Sequence, residues 1–145
     1  MGISLTLENL QKTSETAFKD SPVLFAYLYG SHATGAVHPF SDIDIAVYVS
    51  GEGPENNYDL EMSLALEIDR ELRTRSKSDV RIINYLPLPV AGEVVTTGKL
   101  IYCRDDKLRT DFEAKTRMAY FDFIPFLKKY QQVYLDQIAS TPNIS

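Results

Sequence analysis

The chain has 145 residues with a formal net charge of -5, and 44% of its residues are hydrophobic. This size and composition predict one domain over residues 1–145 with a sizeable core, and they exclude a disordered chain. The negative charge argues against a non-specific grip on duplex nucleic acid, and the lack of a long apolar run or a signal-peptide pattern predicts a soluble, cytoplasmic protein with no membrane contact.

The first half of the chain reads as one amphipathic stretch and two strands. Residues 4 to 18, approximately, are polar and amphipathic, and "PVLFAYLY" (22–29) has the unbroken apolar character of a buried strand. A glycine-serine turn and a short helical piece follow. The segment "DIDIAVYVS" (42–50) then alternates with a period of two, which is typical of a strand with two different faces.

The middle of the chain predicts a helix and a third strand. Residues 58–75 carry apolar side chains four positions apart, which form one stripe on a helix that packs on a sheet: Leu60, Leu64, Ile68 and Leu72. The basic segment "RELRTRSK" (70–77) is interpreted as the solvated last turn of this helix. "SDVRIIN" (78–84) is the next predicted strand.

Two helices and a fourth strand complete the pattern. We expect a short helix over about 89–97 that ends at Gly98, and then an edge strand, "KLIYCR" (99–104). From Asp106 to about Ile138 the chain reads as helical, and Pro125 is expected to kink or divide it. Strands that alternate with helices predict an α/β or α+β fold, in which helices flank a small sheet of about four strands.

Two aspartates interrupt the strand at 42–50. Side chains two apart point to the same face of a strand, so Asp42 and Asp44 project together, while Ile43, Ile45 and Val47 fill the other face. Two carboxylates this close repel each other unless a cation lies between them. Because hard oxygen ligands are the ones that Mg²⁺ prefers, the pair predicts a magnesium site that substrate phosphates complete.

Asp79 begins another predicted strand and brings a third carboxylate if that strand lies beside the first, although "KSD" is also ordinary turn chemistry. Three carboxylates can hold two metal ions about 3.5 to 4 Å apart, the arrangement that supports in-line displacement at phosphorus. The competing interpretation makes Gly30 a turn glycine and the aspartates a loop pair or helix caps. It does not explain why they interrupt a buried strand.

Gly30 and Ser31 follow one strand and open a helical segment, so their backbone N–H groups and the hydroxyl can bind phosphate. The sequence therefore predicts a phosphate cradle and metal ligands at one edge of the sheet. His32 and His38 flank the same turn and are interpreted as surface residues. Arg81 shares a face with Asp79, where it either neutralises a triphosphate or pairs with a carboxylate.

At these residues the chain resembles the minimal nucleotidyltransferases of the DNA polymerase β-like superfamily, which carry GS, ten residues, then DxD; here these are Gly30-Ser31 and Asp42-Ile43-Asp44. "SDVRIIN" resembles the strand that carries the third carboxylate of the family, at Asp79. The resemblance implies a polymerase β-like fold with a mixed sheet. It also implies that Asp42, Asp44 and Asp79 ligate two Mg²⁺ ions and that Gly30 and Ser31 hold the triphosphate of ATP.

Members of this group look like the antitoxin halves of two-gene modules, paired with a HEPN ribonuclease toxin. Similarity to them implies transfer of AMP from ATP to a tyrosine hydroxyl of the toxin, with release of pyrophosphate and a hetero-oligomer of the two proteins. Two alternatives remain open: an antitoxin that only binds the toxin, and a nucleotidyltransferase that acts on a small molecule. The aromatic stripe of the last helix, which includes Phe121, Tyr130 and Tyr134, is either core, the interpretation we favour, or a partner surface.

Overall fold

Helices cover both faces of a mixed sheet in this computed structural model, which describes residues 6–30, 33, 42–51, 57–73 and 77–140. The described helices are α1 (Leu7–Phe18), α2 (Asn57–Leu72), α3 (Leu88–Thr97) and α4 (Asp106–Ser140), and the described strands are β1 (Val23–Tyr29), β2 (Ile43–Val49), β3 (Ser78–Ile82) and β4 (Lys99–Cys103). The strand order is β3-β2-β1-β4, with β1 antiparallel to β2 and β4, and β2 parallel to β3. The predicted fold class and the edge position of β4 are confirmed.

The two central strands are apolar because helices enclose both of their faces. Ile43, Ile45 and Val47 of β2 pack in one core with buried residues of α1 and α2, as the alternation predicts. Ala46, on the opposite face, joins a second core with Phe25 and with buried residues of α3. β1 lies between β2 and β4, which explains its unbroken apolar sequence.

The helix α2 fills the core and also covers the outer edge of β3. Its predicted stripe is confirmed, since Leu64, Ile68 and Leu72 are buried and Leu60 is partly buried against the same core.

β3 ends the sheet, so its outward N–H groups have no neighbouring strand to bond. The N–H of Ser78 donates to Asp69 Oδ1 at 2.8 Å, and the N–H of Ile82 donates to Glu61 Oε2 at 2.8 Å. Two carboxylates of α2 thus take the place of a fifth strand at this edge.

Several predicted boundaries move by a few residues. α2 ends at Leu72 because Arg73 adopts the left-handed conformation, with φ 54°, which stops the helix before 75. β3 ends at Ile82, where a 3₁₀ turn begins. α3 ends before Gly98, as predicted, and the N–H of Gly98 donates to the carbonyl of Val94 at 2.8 Å. The single domain expected over residues 1–145 stays a prediction.

The last helix differs from two expectations. α4 runs unbroken through Pro125, so of the two expected effects the division is wrong, and the kink stays a prediction. The carbonyl that Pro125 leaves without its helical partner belongs to Phe121, an exposed position where water can bond it. Tyr130 and Tyr134 are 77% and 60% exposed, so the interpretation of this stripe as core is wrong as well. No helix of the described residues has the length and apolar character needed to cross a bilayer.

A largely buried carboxylate joins the first half of α4 to the centre of the sheet. The Glu113 side chain is 12% exposed; its Oε1 accepts hydrogen bonds from the Tyr27 hydroxyl at 2.8 Å and from Arg109 Nη1 at 3.0 Å. Arg117 Nη1 lies 3.6 Å from Glu113 Oε2. Burial and this bond to Glu113 raise the pKa of Tyr27 well above its usual value, so its hydroxyl remains a donor.

We expect Glu113→Ala to lower the free energy of unfolding by about 2 to 3 kcal/mol, because it leaves the half-buried Arg109 and the Tyr27 hydroxyl without their shared acceptor. Glu8→Ala is the matched control, since Glu8 and Lys12 form an exposed pair at 3.6 Å whose loss costs roughly 0.5 kcal/mol or less. Urea denaturation followed by circular dichroism measures both. Equal losses would show that Glu113 does not anchor α4.

Candidate active site

Three side chains lie in one row across the sheet. Asp44, the second residue of β2, is directly opposite Asp79 of β3 and also directly opposite Tyr29, the last residue of β1. Adjacent strands are about 4.8 Å apart and directly opposite residues share a face, so the row spans about 10 Å. The structure therefore brings together Asp44 and Asp79, as predicted from the assumption that their strands are neighbours.

The pKa of Tyr29 is affected by the negative charge of this row. Burial, followed by the charges of Asp44 and then Asp79, raises the pKa of the Tyr29 hydroxyl to about 12, while the nearby Arg81 acts in the opposite direction. The phenol thus keeps its proton at neutral pH. The two carboxylates act on the same hydroxyl, which is consistent with their common face.

Gly30 lies against the carboxylate of Asp44. Its φ of +71° is a left-handed conformation that glycine adopts at little cost. A Cβ atom at this position would lie 2.5 Å from Asp44 Oδ2, so the lack of a side chain leaves room for the carboxylate. Both the turn and the close approach therefore require glycine at position 30.

Arg81 pairs with Asp79, which was one of two roles left open by the sequence. Its Nε donates to Asp79 Oδ1 at 3.2 Å, and both side chains are about half exposed. The charge of Asp79 and this hydrogen bond raise the pKa of Arg81 further above its usual range. The guanidinium therefore partly neutralises the row.

Asp42 is exposed and lies one residue before β2. Among the residues that the structure describes, no three Asp, Glu, His or Cys side chains lie close enough together to hold a metal ion. The donor chemistry still fits Mg²⁺, because Asp44 and Asp79 offer carboxylate oxygens from opposite positions on one face, and phosphate and water usually complete such a site. The metal role of Asp42, Asp44 and Asp79 stays a prediction.

Ser31, the second half of the predicted phosphate cradle, lies outside the described residues, as do His32 and His38. Their predicted roles are therefore unchanged by the structure. The described half of the cradle is Gly30, whose position beside Asp44 agrees with a cradle next to the carboxylates.

Two cavities border the row. The larger has a volume of about 450 Å³ and lies between Tyr29, Gly30 and one side of α3, including Val90, Glu93 and Thr97. The smaller, of about 170 Å³, lies between α2 and β3 beside Asp79. Strand order puts the first cavity at the β1 end of the row and the second at the β3 end.

Sequence reasoning missed Tyr29 and Glu61. Tyr29 directly precedes Gly30. If the register of the antiparallel pair β1 and β2 had been known, it would have placed Tyr29 opposite Asp44. Glu61 carries no motif, since its place beside β3 follows only from packing of α2 on that strand.

A model of the family described as polymerase beta, nucleotidyltransferase matches residues 11–107. This range is more than half of the chain, and it contains the row, Gly30 and both cavities. The protein therefore belongs to the polymerase beta nucleotidyltransferase family. A comparison with curated proteins found no match.

Solved structures of similar fold come from toxin–antitoxin complexes. A chain of a toxin–antitoxin with AMP-PNP matches with a TM-score of 0.60 and 21% identity, covering 94% of this chain and 100% of that one. A chain of the MntA–HepT complex matches with a TM-score of 0.62 and 18% identity, covering 92% and 99%. A chain from the tri-AMPylated Shewanella oneidensis HEPN toxin in complex with MNT antitoxin matches with a TM-score of 0.60 and 20% identity, covering 93% and 100%. At these identities the likeness shows the fold.

We expect Gly30→Ala to weaken binding of a non-hydrolysable ATP analogue by roughly tenfold or more, because its Cβ displaces the Asp44 carboxylate. Gly51→Ala is the matched control: Gly51 also has a positive φ, of 128°, but nothing lies within 4 Å of its Cβ position. Both variants should lose stability through backbone strain, and only Gly30→Ala should lose affinity by calorimetric titration with Mg²⁺ present. Unchanged affinity in Gly30→Ala would contradict the close-approach role.

Proposed function

We propose that this protein is an Mg²⁺-dependent nucleotidyltransferase and an antitoxin, which transfers AMP from ATP to a tyrosine hydroxyl of a partner HEPN toxin and releases pyrophosphate. The observation that carries the proposal is the register of Asp44 opposite Asp79, next to the positive-φ Gly30, in a member of the polymerase beta nucleotidyltransferase family. Phosphate binding and carboxylate-bound magnesium are the two requirements of such a transfer.

Each predicted site residue has a role in this proposal. Gly30 and Ser31 hold the triphosphate, and Asp42, Asp44 and Asp79 hold Mg²⁺, whose charge offsets that of the phosphates. Asp79 also receives the proton of the attacking hydroxyl. The oxygen of the tyrosine then bonds to the α-phosphorus, and the bond from that phosphorus to the bridging oxygen of pyrophosphate breaks.

The comparisons support a protein as the acceptor. One solved toxin–antitoxin complex with this fold contains AMP-PNP, and another contains a tri-AMPylated HEPN toxin. By analogy we propose ATP as the nucleotide and a HEPN toxin as the acceptor for this protein. A hetero-oligomer with the toxin and a cytoplasmic location follow from the same proposal.

The C-terminal half of α4 supplies a surface for such a partner. Thr116 is the one buried residue of this fully described helix, and beyond it the helix continues for about 35 Å. Leu127 is partly exposed, and Tyr130, Tyr134 and Ile138 continue its side of the helix with more than half of each side chain exposed. An exposed apolar face of this length is typical of a protein interface.

We expect the double variant Asp42→Asn/Asp44→Asn to lose AMP transfer to the co-encoded toxin, because it removes the charges that hold Mg²⁺. Intact-protein mass spectrometry of the toxin, after incubation with ATP and Mg²⁺, measures the added mass. Asp20→Asn/Asp111→Asn, which changes two exposed aspartates distant in sequence from the motif, is the matched control and should retain activity. Undiminished labelling by the Asp42/Asp44 variant would contradict the proposed chemistry. If the Asp42/Asp44 variant does not label the toxin but still protects cells, that result would favour inhibition of the toxin by binding alone.

We expect Tyr130→Ala/Tyr134→Ala to weaken binding of the toxin by roughly 30-fold or more, since exposed aromatic side chains are common anchors of interfaces. The stability of the isolated protein should not change, because both side chains are exposed. Lys129→Ala/Gln132→Ala, on the opposite side of the helix, is the control. Equal toxin affinity for both double variants, measured by surface plasmon resonance, would exclude this face as the interface.

A further inference from the structure

The two cavities lie at opposite ends of the row formed by Tyr29, Asp44 and Asp79. The larger borders Tyr29, the last residue of β1, and Gly30 after it; the smaller borders Asp79 on β3, with β2 between these strands. The row therefore has one cavity at each of its ends.

Transfer to phosphorus needs such a two-sided arrangement. The attacking oxygen and the leaving oxygen lie roughly in line with the phosphorus between them, so donor and acceptor must reach the carboxylates from opposite sides. The 450 Å³ cavity is within the range of about 300 to 1,000 Å³ that is usual for small-molecule sites, and it adjoins the phosphate cradle. This assigns the nucleotide to the β1 side and leaves the β3 side for the acceptor.

The smaller cavity has the size and chemistry for one aromatic ring with a polar end. Its volume of about 170 Å³ is too small for a nucleotide. Met62, Ala65 and Val80 supply apolar lining, and Asp79 and Arg81 supply polar groups.

Glu61, on the same wall, is fixed in place by the N–H of Ile82, at 2.8 Å. The α2 wall of the cavity is therefore held against the strand that carries Asp79.

We infer that the cavity between α2 and β3 is the seat of the acceptor tyrosine, with the phenol ring against Met62, Ala65 and Val80 and the hydroxyl directed at Asp79. The inference rests on the proposed function and adds the position at which the acceptor binds. The phenol oxygen bonds to the α-phosphorus of ATP, its proton passes to the Asp79 carboxylate and then to water, and pyrophosphate leaves with the electron pair of the broken P–O bond. Arg81, bonded to Asp79 Oδ1, orients that carboxylate.

Binding is tested with N-acetyl-L-tyrosinamide as the probe, on the ¹⁵N-labelled full chain with Mg²⁺ and a non-hydrolysable ATP analogue. We expect the amide signals of Ala65 and Val80 to shift and those of Gln132 and Gln137 on α4 to stay. Met62→Trp fills the cavity from a position that is 46% exposed, so the fold should tolerate it, and it should abolish the shifts. Leu66→Trp, one turn along α2 and 59% exposed, is the matched control and should keep them. No shift in the wild type, or equal shifts in both variants, would overturn the inference.

Transfer is tested with the same variants and the toxin as acceptor. We expect Met62→Trp to raise the KM for toxin by roughly tenfold or more while the KM for ATP stays unchanged, and Leu66→Trp to change neither. If Met62→Trp transfers AMP to the toxin at the wild-type rate, the inferred tyrosine position is wrong and the proposed function is unaffected. Probe binding at Ala65 and Val80 without any transfer by the wild type would support the seat as an aromatic site and reject the proposed function.

Discussion

The pairing register of β2 with its two neighbours is the constraint on which the candidate active site depends. Asp44 faces Tyr29 across an antiparallel pair and Asp79 across a parallel pair. Since side chains alternate between faces, a slip of one residue in either pairing would move a carboxylate to the other face of the sheet. The slip would also expose Ile43 and Ile45, which are fully buried, so the free energy of the core holds the carboxylates in their row.

The charges at the row fit a bound cation. Two carboxylates at opposite positions repel each other, and their charge contributes to the raised pKa of Tyr29. Arg81 offsets part of this charge through an exposed pair, which contributes little to stability. Because Gly30 has no side chain, the Asp44 carboxylate occupies the space that a methyl group at position 30 would need. These features fit a site that is shaped for a ligand at some cost to the fold.

The long helix α4 combines two different environments. Its first half is joined to β1 through Glu113 and packs over the second core with Leu108 and Phe112. Its second half has exposed aromatic residues along the same helix. Anchoring by Glu113 holds the helix at a defined position on the sheet, so an interface on the second half would hold a partner in a defined position as well. That property suits the proposed function, in which the acceptor is a protein.

Local periodicity was sufficient to predict the four described strands and the buried faces of β2 and α2. The alternation over 42–50 and the four-residue spacing of the α2 stripe are properties of single elements, because strand and helix geometry alone determine which side chains share a face. The ends of elements were less predictable: Arg73 stops α2 through a left-handed conformation that its residue type does not require. The place of Gly30 after a strand predicted a role in phosphate binding, although it did not predict the close approach to Asp44.

The sequence by itself determined that Ile43, Ile45 and Val47 would share one face of a buried strand, that Asp44 would lie on the other face and that helices would flank the sheet. Only the tertiary structure decided that Asp79 and Tyr29 lie opposite Asp44, that a cavity lies at each end of this row and that Tyr130 and Tyr134 are exposed. The physical reason is that periodicity describes one element at a time. Which elements become neighbours depends on burial summed over segments far apart in the chain, and an apolar stripe has the same pattern whether or not its own chain covers it.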